Sequence, residues 1–73
     1  MQITLSKREI EVLSLISYGL TSAEIAQRLY ISGHTVISHR KNLINKMRVQ
    51  NTAGLVRQGF EEGILSISSI QKI

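Results

Sequence analysis

The apolar residues of this chain recur at helical rather than alternating spacing, in four segments separated by turn residues. In the first segment Ile10, Val12, Leu13 and Ile16 follow a helical period. A serine, threonine or asparagine precedes each segment, and these are the residues preferred at helix N-caps. The pattern predicts an all-α, four-helix bundle. Its helices are expected at about 7–18, 22–29, 33–47 and 52–62.

Two of the predicted helix starts have the capping-box pattern, a serine or threonine followed by a glutamate three residues later. Ser6 with Glu9 and Thr21 with Glu24 have this spacing. In a capping box each side chain bonds the backbone N–H of the other residue. We therefore interpret both glutamates as caps rather than as a carboxylate pair for acid-base chemistry.

The second and third predicted helices are joined by only three residues, 30–32. A short helix, a tight turn and a longer helix are the parts of a helix-turn-helix. On the third helix Val36, Leu43 and Met47 fall within one stripe at 100° per residue, which predicts its buried face. The opposite face is polar and basic.

All the surplus positive charge of the chain lies in this third helix and its cap. The formal net charge is +4, and residues 32–48 hold four cations and no acid, while the charges elsewhere cancel. A helix of this kind suits an anionic partner. The four cations are Arg40, Lys41, Lys46 and Arg48, of which we expect Arg40 and Lys46 to reach sideways to phosphates.

Composition excludes several other classes of protein. The 73 residues make one small domain, and the absence of cysteine excludes a disulfide. His34 and Ser38 share a helix face, but no acid orients the histidine, so we predict no catalysis. His34 and His39 point about 140° apart at 100° per residue, which excludes a two-histidine metal pair, and we predict no metal and no cofactor. No apolar run reaches about 18 residues and no secretory signal is present at the start, so we predict no membrane span and a cytosolic location.

The fourth predicted helix begins after Asn51 and ends near Gly63. We place the domain at residues 1–65 and a C-terminal tail at 66–73. The apolar face of this helix is the candidate for a dimer interface, formed by Leu55, Val56, Gly59 and Phe60.

The segment between residues 5 and 65 resembles the LuxR-type DNA-binding domain of bacterial response regulators and quorum-sensing regulators. The matching motifs are L-[ST]-x-RE-x-EVL at 5–13, the glycine at 19, EIA at 24–26, IS-x-x-TV at 31–36, His39, Asn42 and Lys46-Met47. The resemblance implies a four-helix bundle whose third helix enters the major groove and whose fourth helix forms a dimer contact.

The same resemblance implies that the positions of Ile37, Ser38 and Lys41 contact DNA. It also implies that the position of Thr35 touches the DNA backbone. The family most often has lysine where this chain has Ile37, and because isoleucine has no charge we expect weaker nonspecific affinity for DNA. Isoleucine can pack against a thymine methyl, so we also expect a bias toward A·T pairs. Tyr30 stands where many helix-turn-helix proteins have glycine, which suggests a different turn geometry. The complete predicted DNA-binding set is His34, Thr35, Ile37, Ser38, His39, Lys41, Asn42, Asn45 and Arg48.

The sequence therefore predicts a non-enzymatic domain that binds double-stranded DNA sequence-specifically in a bacterial transcriptional regulator. We expect a homodimer on DNA through helix 4, and RNA polymerase is a further candidate partner. We also expect about four to six phosphate contacts per protomer, so that the logarithm of the affinity falls with a slope of about −4 to −5 against the logarithm of the salt concentration. We favour a fragment, the output domain of a response regulator with an N-terminal receiver or ligand domain, over a stand-alone protein. Two alternatives remain: the promoter-binding fourth region of a sigma factor, and a helical module that binds an acidic protein.

Overall fold

A computed structural model describes residues 3–66 of the chain, in which four helices and no strand are present. The helices are α1 (Lys7–Ser17), α2 (Ser22–Leu29), α3 (Gly33–Met47) and α4 (Thr52–Glu61). The predicted all-α fold is confirmed. Helices α1 and α4 each end one residue earlier than the periodicity suggested. None of the helices in the described segment is long and apolar enough to cross a membrane.

Each helix begins where a side chain satisfies free backbone N–H groups. Both predicted capping boxes form: Glu9 N–H donates to Ser6 Oγ at 3.1 Å and Ser6 N–H donates to Glu9 Oε1 at 2.8 Å. Thr21 and Glu24 repeat the arrangement with distances of 3.2 and 2.8 Å. Helices α3 and α4 have single N-caps, Ser32 and Asn51.

Helices α1 and α3 each pack against all three of the other helices, so they form the centre of the bundle. The predicted stripe on α3 is confirmed, since Val36 and Leu43 have no exposed surface and Met47 is 2% exposed. The buried apolar core consists of Val12, Leu13, Ile16, Ile25, Ala26, Val36, Leu43, Met47, Leu55 and Leu65.

One member of the apolar set on α1, Ile10, lies outside the buried face of the helix. Ile10 is 42% exposed, whereas Glu9 beside it is only 4% exposed. The buried positions of α1 are therefore 9, 12, 13 and 16, a set with i, i+3, i+4, i+7 spacing. The helix turns a carboxylate inward at its first turn and leaves the isoleucine on the surface.

The turn between α2 and α3 keeps the left-handed conformation that glycine favours, although the residue is Tyr30 with φ of 57°. The expectation that a tyrosine changes the turn geometry is thus wrong. The backbone accepts strain of about 1 kcal/mol instead. The Tyr30 side chain is 95% exposed and contributes nothing to the core.

After α4 the chain turns back over the helix, and Gly59 within α4 permits Leu65 to approach closely. A Cβ on Gly59 would lie 2.8 Å from Leu65 Cδ1 and 3.3 Å from Leu13 Cδ2. The backbone N–H groups of Ile64 and Leu65 both donate to the Gly59 carbonyl. Leu65 thereby completes the core between α1 and α4. The rest of the predicted tail, residues 67–73, lies outside the described residues.

Candidate nucleic-acid interface

Helices α2 and α3 form the predicted helix-turn-helix. Ile25 and Ala26 of α2 and Val36 of α3 are buried in the same core cluster, and the small side chain of Ala26 suits close packing of the two helices. Because α3 also packs on α1 and α4 through its buried stripe, only its opposite face meets solvent. The scaffold therefore presents one fixed face of α3.

Most of the predicted DNA-binding set lies on that exposed face. The arc that these side chains span is roughly 140° at 100° per residue. Thr35 and His39 are half-buried, and both lie beyond the same edge of the arc. The exposed members are His34, Ile37, Ser38, Lys41, Asn42, Asn45 and Arg48.

The start of α3 holds two hydroxyl groups together. Thr35 N–H donates to Ser32 Oγ at 3.0 Å, and the Ser32 and Thr35 hydroxyl oxygens are 2.8 Å apart in a second hydrogen bond. The first backbone N–H groups of a helix favour anions, and hydroxyls beside them can donate to a phosphate. This geometry fits the predicted contact of Thr35 with the phosphate backbone of DNA.

Lys46 is paired within the chain, which argues against the phosphate contact predicted for it. Its Nζ lies 2.8 Å from Oε1 of Glu9, which also accepts the Ser6 N–H. Burial disfavours the charged form of Glu9, but the hydrogen bonds from Lys46 and Ser6 outweigh it and lower the pKa of the carboxyl below 4.5. The pair joins the last turn of α3 to the first turn of α1.

Arg40 is also directed within the chain rather than toward a partner. Its Nη2 donates to Thr52 Oγ1 at 2.8 Å, which links the middle of α3 to the start of α4. Within residues 3–66, Lys41 and Arg48 are the cations of the basic segment that have no intramolecular partner. Arg48 has left-handed backbone geometry at the end of α3, with φ of 55°.

Sequence reasoning missed both of these contacts for the same reason. Glu9 and Lys46 are 37 residues apart, and Arg40 and Thr52 are 12 apart. The local pattern gives no signal for such pairings. The burial of Glu9 was detectable, however, because position 9 completes the helical set that also includes positions 12, 13 and 16.

The candidate dimer face on α4 is divided by the fold. Leu55 has no exposed surface and Gly59 is buried against Leu65 and Leu13, so both serve the chain's own core. Val56 and Phe60 are half-buried. These two residues are the members of the predicted set that a second copy can reach.

A helix-turn-helix whose second helix exposes a polar, basic and acid-free face defines the class of helix-turn-helix DNA-binding domains. The sequence pattern of the GerE family, the luxR family of bacterial regulatory proteins, matches residues 3–58. This chain belongs to the luxR family, and it is a LuxR-type helix-turn-helix DNA-binding domain. The family assignment decides against the sigma-factor alternative.

Curated relatives of the chain are transcriptional regulators, of which it spans less than a third. MctR of Rhizobium johnstonii is 44% identical over 62 residues, which cover 85% of this chain and 29% of MctR. LnrK of Bacillus subtilis is 49% identical over 47 residues, 64% of this chain and 21% of LnrK. The oxygen regulatory protein NreC of Staphylococcus carnosus is 36% identical over 61 residues, 84% of this chain and 28% of NreC.

Solved structures show the same four-helix arrangement. The response regulator ChrA of a heme-sensing two-component system has a TM-score of 0.83 at 29% identity, covering 89% of this chain and 32% of ChrA. The transcription factor GerE has a TM-score of 0.82 at 30% identity, covering 86% of this chain and 94% of GerE. VqmA of Vibrio cholerae, solved in a complex with ligand and DNA, has a TM-score of 0.81 at 30% identity, covering 88% of this chain and 28% of VqmA.

Proposed function

We propose that this chain binds double-stranded DNA sequence-specifically by placing α3 in the major groove, as part of a transcriptional regulator. The observation that carries the proposal is the exposed face of α3, where Lys41 lies at the centre of an acid-free surface that no other helix covers. A convex helix face suits a groove rather than a small substrate. We therefore also propose that the chain is not an enzyme.

The side chains divide into two groups by chemistry and position. Thr35 at the capped start of α3 and Arg48 at its end lie at the margins of the exposed face and suit phosphates. Ser38 and Lys41 lie near the middle of the face, where base edges are reached. Further contacts to base edges come from Ile37, His34 and Asn45, and the remaining members of the set, His39 and Asn42, flank them.

The intramolecular contacts of Arg40 and Lys46 lower the expected number of phosphate contacts. With two of the four cations directed to Thr52 and Glu9, we expect about two to four contacts per protomer rather than four to six. The logarithm of the affinity then falls with a slope of about −2 to −4 against the logarithm of salt concentration. One protomer is thus a weak binder.

We propose that two copies bind adjacent half-sites through α4. Support comes from Val56 and Phe60, two apolar side chains that the fold leaves half-buried on one face. Sedimentation of the chain with duplexes carrying one or two half-sites tests this. Cooperative two-to-one binding on the double site is expected, whereas independent filling of the two half-sites contradicts a dimer.

The role of the whole regulator is a proposal by similarity. The likeness to ChrA supports an output domain of a response regulator, and transcription regulators among the relatives support control of gene expression. We propose that it acts at the nucleoid in the bacterial cytoplasm. Contact with RNA polymerase stays a prediction.

Fluorescence anisotropy with mixed-sequence duplex DNA at a series of salt concentrations tests the proposed function. Lys41→Ala is expected to weaken binding to all sequences and to make the salt slope shallower by about 0.9, because one phosphate-attracting charge is lost. Arg57→Ala removes the same charge from α4, where Arg57 pairs with Glu61, and is expected to leave the slope unchanged.

Equal effects of the two substitutions would show that only net charge matters and that α3 is not the contact surface. Absence of binding at every salt concentration, even with two tethered copies, would sink the proposal. It would favour the remaining alternative, a module that binds an acidic protein.

A further inference from the structure

Ile37 is an exposed apolar side chain at one edge of the polar face of α3. It is 45% exposed, and it belongs neither to the buried core nor to the half-buried residues that pack on the core. Val36 beside it is completely buried, so the core contact of this turn is already made. The fold itself does not require an isoleucine at position 37.

Isolated exposed isoleucines are ordinary on protein surfaces, and Ile10 on α1, at 42% exposure, is one. Ile37 differs from Ile10 in its neighbours. His34 and Lys41 lie one turn away on either side of it, and Ser38 follows it directly. Whatever binds this face must therefore place an apolar group against Ile37 among polar contacts.

We infer that Ile37 contacts the 5-methyl group of a thymine and makes the domain select a T·A pair at that position. The inference rests on the proposed binding of DNA through α3. The thymine methyl is the one apolar group that base pairs present in the major groove. Isoleucine has no donor or acceptor, so at any other base edge it would leave polar groups desolvated and unpaired.

The charges of the segment strengthen this reading. Because the Lys46 ammonium is paired with Glu9 and the Arg40 guanidinium is hydrogen-bonded to Thr52, fewer side chains of the segment are free to contact phosphates than the composition suggests. A larger share of the affinity then rests on base-edge contacts. Ile37 is the largest apolar group available for such a contact on the exposed face.

Uracil substitution isolates the methyl group, since uracil differs from thymine only by its absence. A preferred duplex is first selected from a random library with the unaltered chain. Each thymine of the selected site is then replaced by uracil, one symmetric position at a time, and affinities are measured for the unaltered chain, Ile37→Ala and Ile37→Val. Ile10→Ala serves as the matched control, an isoleucine of similar exposure on another helix.

At one position uracil is expected to weaken binding by the unaltered chain and by Ile10→Ala about fourfold for each half-site altered, the effect of one buried methyl group. The same replacement of thymine by uracil should leave the affinity of Ile37→Ala unchanged and should have an intermediate effect on the affinity of Ile37→Val. Alanine is a better helix former than isoleucine, so the variant keeps its helix.

Two results would overturn the inference while leaving DNA binding intact. One is a uracil penalty at every thymine that is the same for the unaltered chain and Ile37→Ala. The other is a selected site without any preferred thymine. Failure to select any sequence would instead overturn the proposed function, and the inference with it.

Discussion

Replacing Lys46 by methionine removes the ammonium group that pairs with the buried carboxylate of Glu9. Glu9 Oε1 accepts the Lys46 ammonium at 2.8 Å and the Ser6 backbone N–H at 2.8 Å. The Glu9 side chain is 5% exposed and that of Lys46 is 46% exposed. After the substitution the buried carboxylate keeps its bond to Ser6 but loses its counter-charge.

The size of the effect lies between two limits. Breaking a fully buried pair costs about 3–5 kcal/mol, and exposed pairs contribute at most about 1 kcal/mol. Because one partner is buried and the other half-exposed, we expect Lys46→Met to lower the free energy of unfolding by about 1–3 kcal/mol at pH 7. For a domain of this size each 1 kcal/mol shifts the Tm by roughly 4–8 °C.

Urea unfolding followed by circular dichroism at 222 nm measures the change, in a double-mutant cycle with Glu9→Gln. Glutamine is neutral and can still accept the Ser6 N–H, so adding Lys46→Met to Glu9→Gln should cost little. We expect a coupling of about 1–2 kcal/mol between the two positions. A coupling within about 0.3 kcal/mol of zero would refute the reasoning, because the pair would then not join α1 to α3.

The pH dependence of this coupling has a definite sign. Folding lowers the pKa of Glu9 below 4.5, so the stability that this group contributes is fully present above pH 4.5 and is lost as the pH falls through its folded pKa. The coupling with Lys46 should therefore be constant from pH 7 to about 5 and decline in acid. A coupling that grows as the pH falls would contradict the assignment.

Three further predictions concern single positions. Gly59→Ala should destabilise the fold by about 1–2 kcal/mol in urea unfolding, because its Cβ would lie 2.8 Å from Leu65 Cδ1. The control Gly33→Ala should be neutral or stabilising, because a Cβ there has nothing within 4 Å. A neutral Gly59→Ala would mean that Leu65 is free to move. Tyr30→Gly should raise the Tm, gaining about 0.5–1 kcal/mol, because it relieves a left-handed backbone at a side chain that is 95% exposed; a lower Tm would reveal a stabilising contact of Tyr30. Ile37→Lys should tighten binding to mixed-sequence DNA and steepen the salt slope by about 0.9, as measured by anisotropy, whereas weaker binding would show that the isoleucine contact outweighs an added charge.

Features that depend on neighbours in sequence were predictable. The capping boxes at Ser6 and Thr21 involve residues three apart, and the buried stripe of α3 follows from the helical period alone. The helix-turn-helix followed from these features and from the short turn between α2 and α3. The fold class and the exposed face of the candidate site were therefore accessible from the sequence.

Features that depend on tertiary contacts were not predictable in the same way. Both Lys46 and Arg40 lie near the edge of the exposed face, where the helical phase alone allows a lysine or arginine to extend toward solvent or back over the protein. Only the packing of α1 and α4 against α3 brings Glu9 and Thr52 within their reach. The number of cations in a segment thus overestimates the number of side chains that are free to contact a partner.

Chemical-shift mapping on this 73-residue chain tests most directly whether α3 is the surface that binds DNA. The isotope-labelled chain is titrated with a duplex that carries a single half-site, so that no dimer contact is required. The largest amide shifts are expected within residues 32–48, centred on Ser38 and Lys41, with little change at Ser14 of α1 and at Tyr18, which follows that helix. Shifts concentrated on α1 or α4, with residues 32–48 unaffected, would contradict the assignment of α3 as the recognition helix.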